Sequence, residues 1–450
     1  MSNTKEPIKR QETPEERARR LRRQRMRREQ LRRRRRKAMI LRAVLAVGVV
    51  ALVIALVVLI SGKMRRHSEK EKNEKEYTEA GEEIVMEAVD THNVLHLSFL
   101  SMIADPERAF GQEDIRAAAS LDQSRLTVEE FNQILQQLYD QGYVLVSLED
   151  LAQTDENGVM AEKDLLLPQG KKPLIISQQN VNYDLEYSDQ GLASRLVLDE
   201  NGKLASEMVQ SDGTVVTGAY DLVPCVEAFV ESHPDFSHDG ARGILGITGY
   251  NGILGYRTNP ALASSEGNKY ASRYGVFDTA QETEAVRPVI EALRAGGWKF
   301  ACNGYGNVSY VSDVENIKSD MEQWKAEVGN LLGEVNILMY PYGADISDWS
   351  IYRNEDEKYA YLKGQGFRYF CAMNISGPWT QMTEEYLRCG YRTLDGYRMY
   401  QDIYQDAGRF SGLLDFSAMY DQSRPSMQSV EDTQEGTQET ASGEDQSGGQ

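Results

Sequence analysis

Hydrophobic and polar positions divide the chain into stretches of different character. From Ala43 to Gly62 twenty consecutive residues carry no charge and are nearly all Ala, Val, Leu or Ile. At about 1.5 Å of rise per residue, that run matches a hydrocarbon core of roughly 30 Å and predicts one transmembrane helix. It is longer than a signal-peptide core and no small-x-small cleavage site follows, so an uncleaved signal anchor is expected. Residues 63–90 are dense in Glu and Lys (EKEKNEKEYTEAGEE) and read as a solvated stalk. Residues 425–450 are acidic and rich in Gln, Ser, Thr and Gly, and read as a disordered tail. Between them, 91–424 carries the apolar periodicities of a folded domain.

Within that domain one arrangement recurs: an amphipathic helix ends at a glycine, and an aromatic residue opens a short apolar strand. The first helix starts at Thr127, which forms a capping box with Glu130 and precedes an apolar face of Phe131, Ile134, Leu135 and Leu138. Gly142 ends it and YVLVSL follows. A second helix carries Val286, Val289, Ile290 and Leu293, stops near Gly296 and leads into WKFACN; Pro288 should kink it or mark its first turn. A third runs from Ile317 through Trp324 to Leu331 and into VNILMY. A fourth ends at Gly366 before FRYFCAM. Helices alternating with apolar strands predict a parallel α/β sheet or barrel. The stretch at about 184–240 breaks the rhythm with turn signals at Glu200-Asn201-Gly202 and Asp212-Gly213, predicting an inserted β-meander.

Charge sharpens the topology. The formal net charge is −19, yet residues 1–42 hold 18 basic and 5 acidic residues, which leaves −32 for the remainder. The positive-inside rule then puts the 1–42 arm in the cytoplasm and everything after Gly62 outside the cell membrane. Beside a membrane span the arginines orient the chain and attract anionic lipid, so the bilayer is the expected partner and nucleic acid is not. All four cysteines (Cys225, Cys302, Cys371, Cys389) fall in the outer domain, where disulfides are permitted. They lack the CxxC spacing of a structural zinc site, and free buried thiols and bridges both fit.

In parallel α/β folds function sits at the C-terminal ends of the strands. Those ends hold Gln178-Gln179-Asn180, Asn303-Gly304-Tyr305-Gly306-Asn307 and Pro341-Tyr342-Gly343-Ala344-Asp345. Here the sequence resembles the polysaccharide deacetylases (the NodB-homology domain, carbohydrate esterase family 4). FNQILQQLYDQGYVLVSLEDL looks like the family's early helix–Gly-Tyr–strand, and KPLIIS precedes the slot of its Thr-Phe-Asp-Asp-Gly motif. GWKFACNGYGN looks like its Gly-Trp-Glu-Phe-Ala-Ser-His-x-x-x-His segment, and MYPYG like its proline-containing third motif. The resemblance implies a distorted (β/α) barrel over roughly 94–424, interrupted by the insertion. It also implies a general-base Asp and a metal, usually zinc, held by a second Asp and two His.

Carried over by position, the base falls on Gln179, the metal-binding Asp on Asn180 and the two His on Asn303 and Asn307. A His that often closes the first strand falls on Leu100. Amides neither take a proton near pH 7 nor suit zinc. The expectation is therefore a deacetylase fold without deacetylase chemistry, with no cofactor because the zinc site is lost. The remaining amides, with Tyr305, Tyr340, Tyr342, Trp349 and Asp345, suit recognition of a cell-wall glycan, since aromatics stack on sugar faces. Two alternatives stand beside this reading. One is an active carbohydrate deacetylase or other hydrolase with a relocated site, such as Asp345 as base with His96, His233 or His238. The other is an envelope interaction scaffold. His92 and His96 lie in a strand-like entry (HNVLHLSFLSMI), and His233 and His238 flank a loop, so packing roles are expected. GITGYNGILGY lacks a Walker lysine and a dinucleotide-site context. Cys302, at a strand end, reads as a small buried residue rather than a nucleophile.

Overall fold

The computed structural model describes residues 84–374 and 376–425. Seven parallel strands form a closed barrel: β1 (Leu95–Phe99), β2 (Lys172–Gln178), β3 (Ile244–Ile247), β4 (Lys299–Cys302), β5 (Ile337–Met339), β6 (Tyr369–Met373) and β7 (Leu387–Thr393). They run around the barrel in chain order, and β7 returns to pair with β1. The edge of β2 is shared. Its first residues pair with a short strand, Tyr143–Leu145, and its last, Ser177 and Gln178, with β3. That second pairing closes the ring.

The outer layer is helical: α1 (Val128–Asp140), α2 (Leu222–Ser232), α3 (Thr279–Gly296), α4 (Val314–Trp324), α5 (Glu357–Gly364) and α6 (Gly396–Tyr404). α1 begins at the expected capping box. The Glu130 carboxylate accepts the Thr127 N–H at 2.8 Å, and the Thr127 hydroxyl accepts the Glu130 N–H at 3.2 Å. Its apolar face is fully buried, a contribution of about 1.5–3 kcal/mol per large side chain. Pro288 lies inside α3 rather than in its first turn. Proline removes its own N–H from the helix ladder and crowds the carbonyl four residues before it, and burial of Val286, Val289, Ile290 and Leu293 offsets that cost.

Strand alternation sorts the side chains. Leu97, Ile176, Leu245, Phe300, Leu338 and Phe370 belong to the apolar layer under the helices, whereas Ile175, Ala301, Ile337, Met339, Cys371, Cys389 and Tyr391 form a separate cluster inside the barrel.

Strands β3 and β7 were not anticipated. Ile244–Ile247 is a four-residue strand whose last two residues open the glycine-rich run GITGYNGILGY. The meander consists of Ala193–Leu198, Leu204–Val209 and Val215–Gly218, with Gly202 and Gly213 at positive φ in its turns. The end of the stretch expected as insertion is instead α2, the helix that leads into β3. At the N-terminal side, Met86–Ala88, within the stretch read as a stalk, pairs antiparallel with Leu166–Pro168. Among the described residues no helix is long and apolar enough to cross a membrane. The expected anchor Ala43 to Gly62, the 1–42 arm, most of the stalk and nearly all of the 425–450 tail lie outside the described residues.

Candidate functional site

The mouth at the C-terminal ends of the strands is built from residues that point into the barrel. Gln179 follows β2, and both ends of its amide are engaged. Its Nε2 donates to the Ser98 hydroxyl of β1 at 2.9 Å, and its Oε1 accepts the Tyr391 hydroxyl of β7 at 3.1 Å. Asn303, just past β4, is similarly committed. Its Oδ1 accepts the Asn180 backbone N–H at 3.0 Å, and its Nδ2 donates to the Met339 carbonyl of β5 at 3.0 Å. These bonds tie together five of the seven strands, β7, β1, β2, β4 and β5, across the barrel.

Local backbone explains the closeness. Asn180 and Tyr342 adopt left-handed φ of 52° and 58°, a region in which asparagine is several-fold enriched. Gly343, at φ 70°, is the tightest point. A Cβ there would lie 2.5 Å from the Met373 Cβ and 2.8 Å from the Tyr391 hydroxyl. No side chain fits at that approach, which is why a glycine follows Tyr342.

The structure thus brings together Gln179, Asn180 and Asn303. Asn307 lies on the same β4 loop, also at left-handed φ (58°), but no hydrogen bond joins it to the other three. The Asn180 Oδ1 is a buried acceptor without a hydrogen-bond partner.

The aromatic candidates separate into two groups. Tyr342 is 65% exposed and Trp349 79% exposed, so both faces are available to a partner. Tyr340 is fully buried on the outer side of the barrel wall, where its hydroxyl meets that of Tyr352 at 2.9 Å and its ring stacks on Phe370. Its position after β5 puts it one residue out of phase with the interior, so it cannot line the mouth. Tyr305 is also buried, its hydroxyl donating to Glu327 at 2.5 Å. Asp345 is withdrawn in a different way. It pairs with the buried Arg388 at 2.7 Å and accepts the Tyr352 hydroxyl at 2.5 Å. Burial raises its pKa, with Arg388 opposing.

The relocated-site alternative loses its geometry here. His96 is inside the barrel, whereas Asp345 faces Arg388 and Tyr352 beyond the wall. His233 stacks on Phe229 at 4.4 Å, and the His238 N–H donates to the Leu145 carbonyl at the opposite end of the barrel. Cys302 is fully buried and burial pushes its thiol pKa up, which removes it as a nucleophile.

A second polar layer lies one step below the mouth, and sequence reasoning missed it. Cys371 Sγ is 3.5 Å from Cys389 Sγ, which is 3.5 Å from His96 Nδ1, and His96 Nε2 is 2.8 Å from the Ser177 hydroxyl. All four cysteines are free and buried. Strand alternation puts His96 on the inward face with Ser98, but the sequence gap between Cys371 and Cys389 carries no ligand-like spacing. Their juxtaposition exists only because β6 and β7 pair in register.

No protein-family model matches the chain, and no curated protein matches it. Among solved structures the chain is similar to the Streptococcus pyogenes deacetylase PplD in complex with acetate, at 10% identity over 70% of this chain and 98% of that one, with a TM-score of 0.36. It is likewise similar to a polysaccharide deacetylase from Bacillus cereus, at 10% identity over 73% of this chain and 75% of that one, with a TM-score of 0.35.

Proposed function

We propose that this chain is a polysaccharide deacetylase-like protein without hydrolytic activity, anchored in the cell membrane by residues 43–62 and presenting its barrel outside, where the mouth binds a neutral, hydroxyl-rich ligand of the cell-wall glycan class. The observation that carries the reading is the state of the mouth amides. Gln179 and Asn303 spend both ends of their amides on other strands, and an amide oxygen is too weak a base to take a proton from water. General-base catalysis needs a group that ionises near the working pH, and an amide does not. The family's zinc would have to sit on Asn180, Asn303 and Asn307, which supply amide oxygens where zinc takes imidazole, thiolate or carboxylate. These residues do not fit the metal.

Binding is favoured over a pure spacer role by two features. The Asn180 Oδ1 is a buried acceptor without a protein partner, which costs about 1–3 kcal/mol, recoverable when a side-chain rotation turns it toward a ligand hydroxyl. Tyr342, at the mouth, and Trp349, on the loop beyond it, present exposed rings of the kind that stack on sugar faces. The test is co-sedimentation of the full-length chain with purified peptidoglycan sacculi, and calorimetry with a chitooligosaccharide. The expected result is retention, weakened about tenfold by Asn180→Ala and by Tyr342→Ala, from an interaction of about 1.4 kcal/mol each. A chain that stays in the supernatant when the sacculi pellet, and gives no heat with the oligosaccharide, contradicts the binding half of the proposal.

A further inference from the structure

His96, Cys371 and Cys389 stand apart from the mouth. They come from three different strands, β1, β6 and β7, and their side chains meet in the closed interior of the barrel. Among the described residues this is the one cluster of three His, Cys, Asp or Glu whose ligand atoms all lie within 4.8 Å of one another. All three residues are buried. None of them contacts Gln179, Asn180 or Asn303 by hydrogen bond, so the proposal that follows does not depend on the ligand of the mouth.

We infer that His96, Cys371 and Cys389 bind one zinc ion inside the barrel. Three observations support it. The first is distance. Around a tetrahedral zinc with Zn–S of about 2.3 Å and Zn–N of about 2.0 Å, two sulfurs lie about 3.8 Å apart and a sulfur and a nitrogen about 3.5 Å apart. The observed Sγ–Sγ separation is 3.5 Å, and Cys389 Sγ to His96 Nδ1 is 3.5 Å. An ion therefore needs shifts of only a few tenths of an ångström along those two edges.

The second observation is the partner of the imidazole. Zinc-binding histidines almost always hand their other ring nitrogen to a hydrogen-bond acceptor, which fixes the tautomer. Here the Ser177 hydroxyl lies 2.8 Å from His96 Nε2. With Nε2–H donating to Ser177, the Nδ1 lone pair faces the sulfurs. The ring is held further by Tyr391, whose centroid is 5.6 Å away.

The third is charge. The cluster is enclosed by Ala301, Ile337, Met339 and other apolar side chains of the barrel interior. Two thiolates in that setting would be costly, whereas two thiolates, a neutral imidazole and Zn²⁺ sum to zero. On binding, each cysteine thiol releases one proton to solvent as its sulfur bonds the ion. No electron moves. Soft sulfur ligands select zinc over magnesium or calcium. Three protein ligands leave a fourth position for water or a small anion, and the ion staples β1, β6 and β7 from within.

The test uses the full-length chain, purified under reducing conditions, stripped with a chelator and titrated with Zn²⁺ against a chromophoric competitor, then with Co²⁺ as a spectroscopic probe. The expected result is one metal ion per chain and a thiolate-to-cobalt charge-transfer band. Cys371→Ser and Cys389→Ser should each weaken binding at least 100-fold, and Ser177→Ala 10- to 100-fold. Cys302→Ser, a buried cysteine outside the cluster, should bind as the parent does. Zinc should raise the melting temperature of the parent and of Cys302→Ser but not of Cys371→Ser. The inference is overturned if the folded, reduced parent gives no cobalt–thiolate band. It is equally overturned if Ser177→Ala and the parent bind alike, or if protein isolated without reductant carries a Cys371–Cys389 disulfide.

Discussion

Replacing Arg424 with Ala tests what holds the segment around it to the barrel. The side chain is fully buried, as is Glu130, and Asp122 is 1% exposed. The guanidinium donates to both Glu130 carboxylate oxygens (2.8 and 2.6 Å), to the Asp122 carboxylate (2.7 Å) and to the carbonyls of Asp122 (2.7 Å) and Arg125 (2.8 Å). It therefore locks the segment around Arg424 onto the start of α1 and the preceding helix, Ile115–Ser124. Removing it strands two buried carboxylates, a loss of about 3–5 kcal/mol. For a domain of this size each kcal/mol moves the melting temperature by roughly 2 °C, so a fall of about 6–10 °C is expected.

The pH dependence separates charge from packing. Burial already raises the Asp122 pKa above its ordinary value, with Arg424 opposing. Without Arg424 it rises further. A carboxyl whose folded pKa exceeds its unfolded pKa destabilises the fold above the folded value and costs nothing below the unfolded one. The gap between parent and Arg424→Ala should thus be widest at pH 7–8 and shrink toward pH 4, read by urea unfolding across that range. A loss below about 1 kcal/mol, or a gap independent of pH, refutes the reasoning.

Further outcomes follow from other buried groups. Asp221 is fully buried, accepts the Met102 N–H at 2.9 Å and the Gln178 Nε2 at 2.8 Å, and burial raises its pKa. The parent should lose stability as pH rises through that raised value. Asp221→Asn should not, so its stability relative to the parent should grow from pH 4 to 8; the added amide can also donate to the unpartnered Gln178 Oε1. Gly343→Ala should cost about 1–3 kcal/mol in urea unfolding, because its methyl would overlap Met373 and Tyr391 at positive φ. Thr127→Ala should cost about 1 kcal/mol by removing the α1 cap.

Much of the barrel was legible from local pattern. The capping box at Thr127 and the four-residue apolar face of α1 gave position and orientation at once, because helix chemistry is local. The strands after WK, VN and FR announced themselves by apolar runs behind glycine stops. β3 did not, since GILGI is short and its glycines mimic a loop; what makes it a strand is pairing with β2 and β4, some 70 and 55 residues away in the chain. The mouth residues Gln179, Asn180 and Asn303 were reachable through the strand-end rule. Tyr340 was misplaced because one step along a strand turns a side chain from the interior to the wall, and that phase depends on barrel closure; Asp345 was misplaced because its partner, Arg388, lies 43 residues on in β7. The thiol–imidazole cluster was invisible for a similar reason: Cys371 and Cys389 meet only through ladder register.

The central claim is that a deacetylase-like mouth made of amides performs no hydrolysis. The most direct measurement is acetate release from N-acetylated chitooligosaccharide and from peptidoglycan by the full-length chain, with zinc or cobalt supplied and an active deacetylase run in parallel. The account predicts release no faster than the protein-free blank. Release above that blank, abolished by Gln179→Ala or Asn303→Ala, would contradict it.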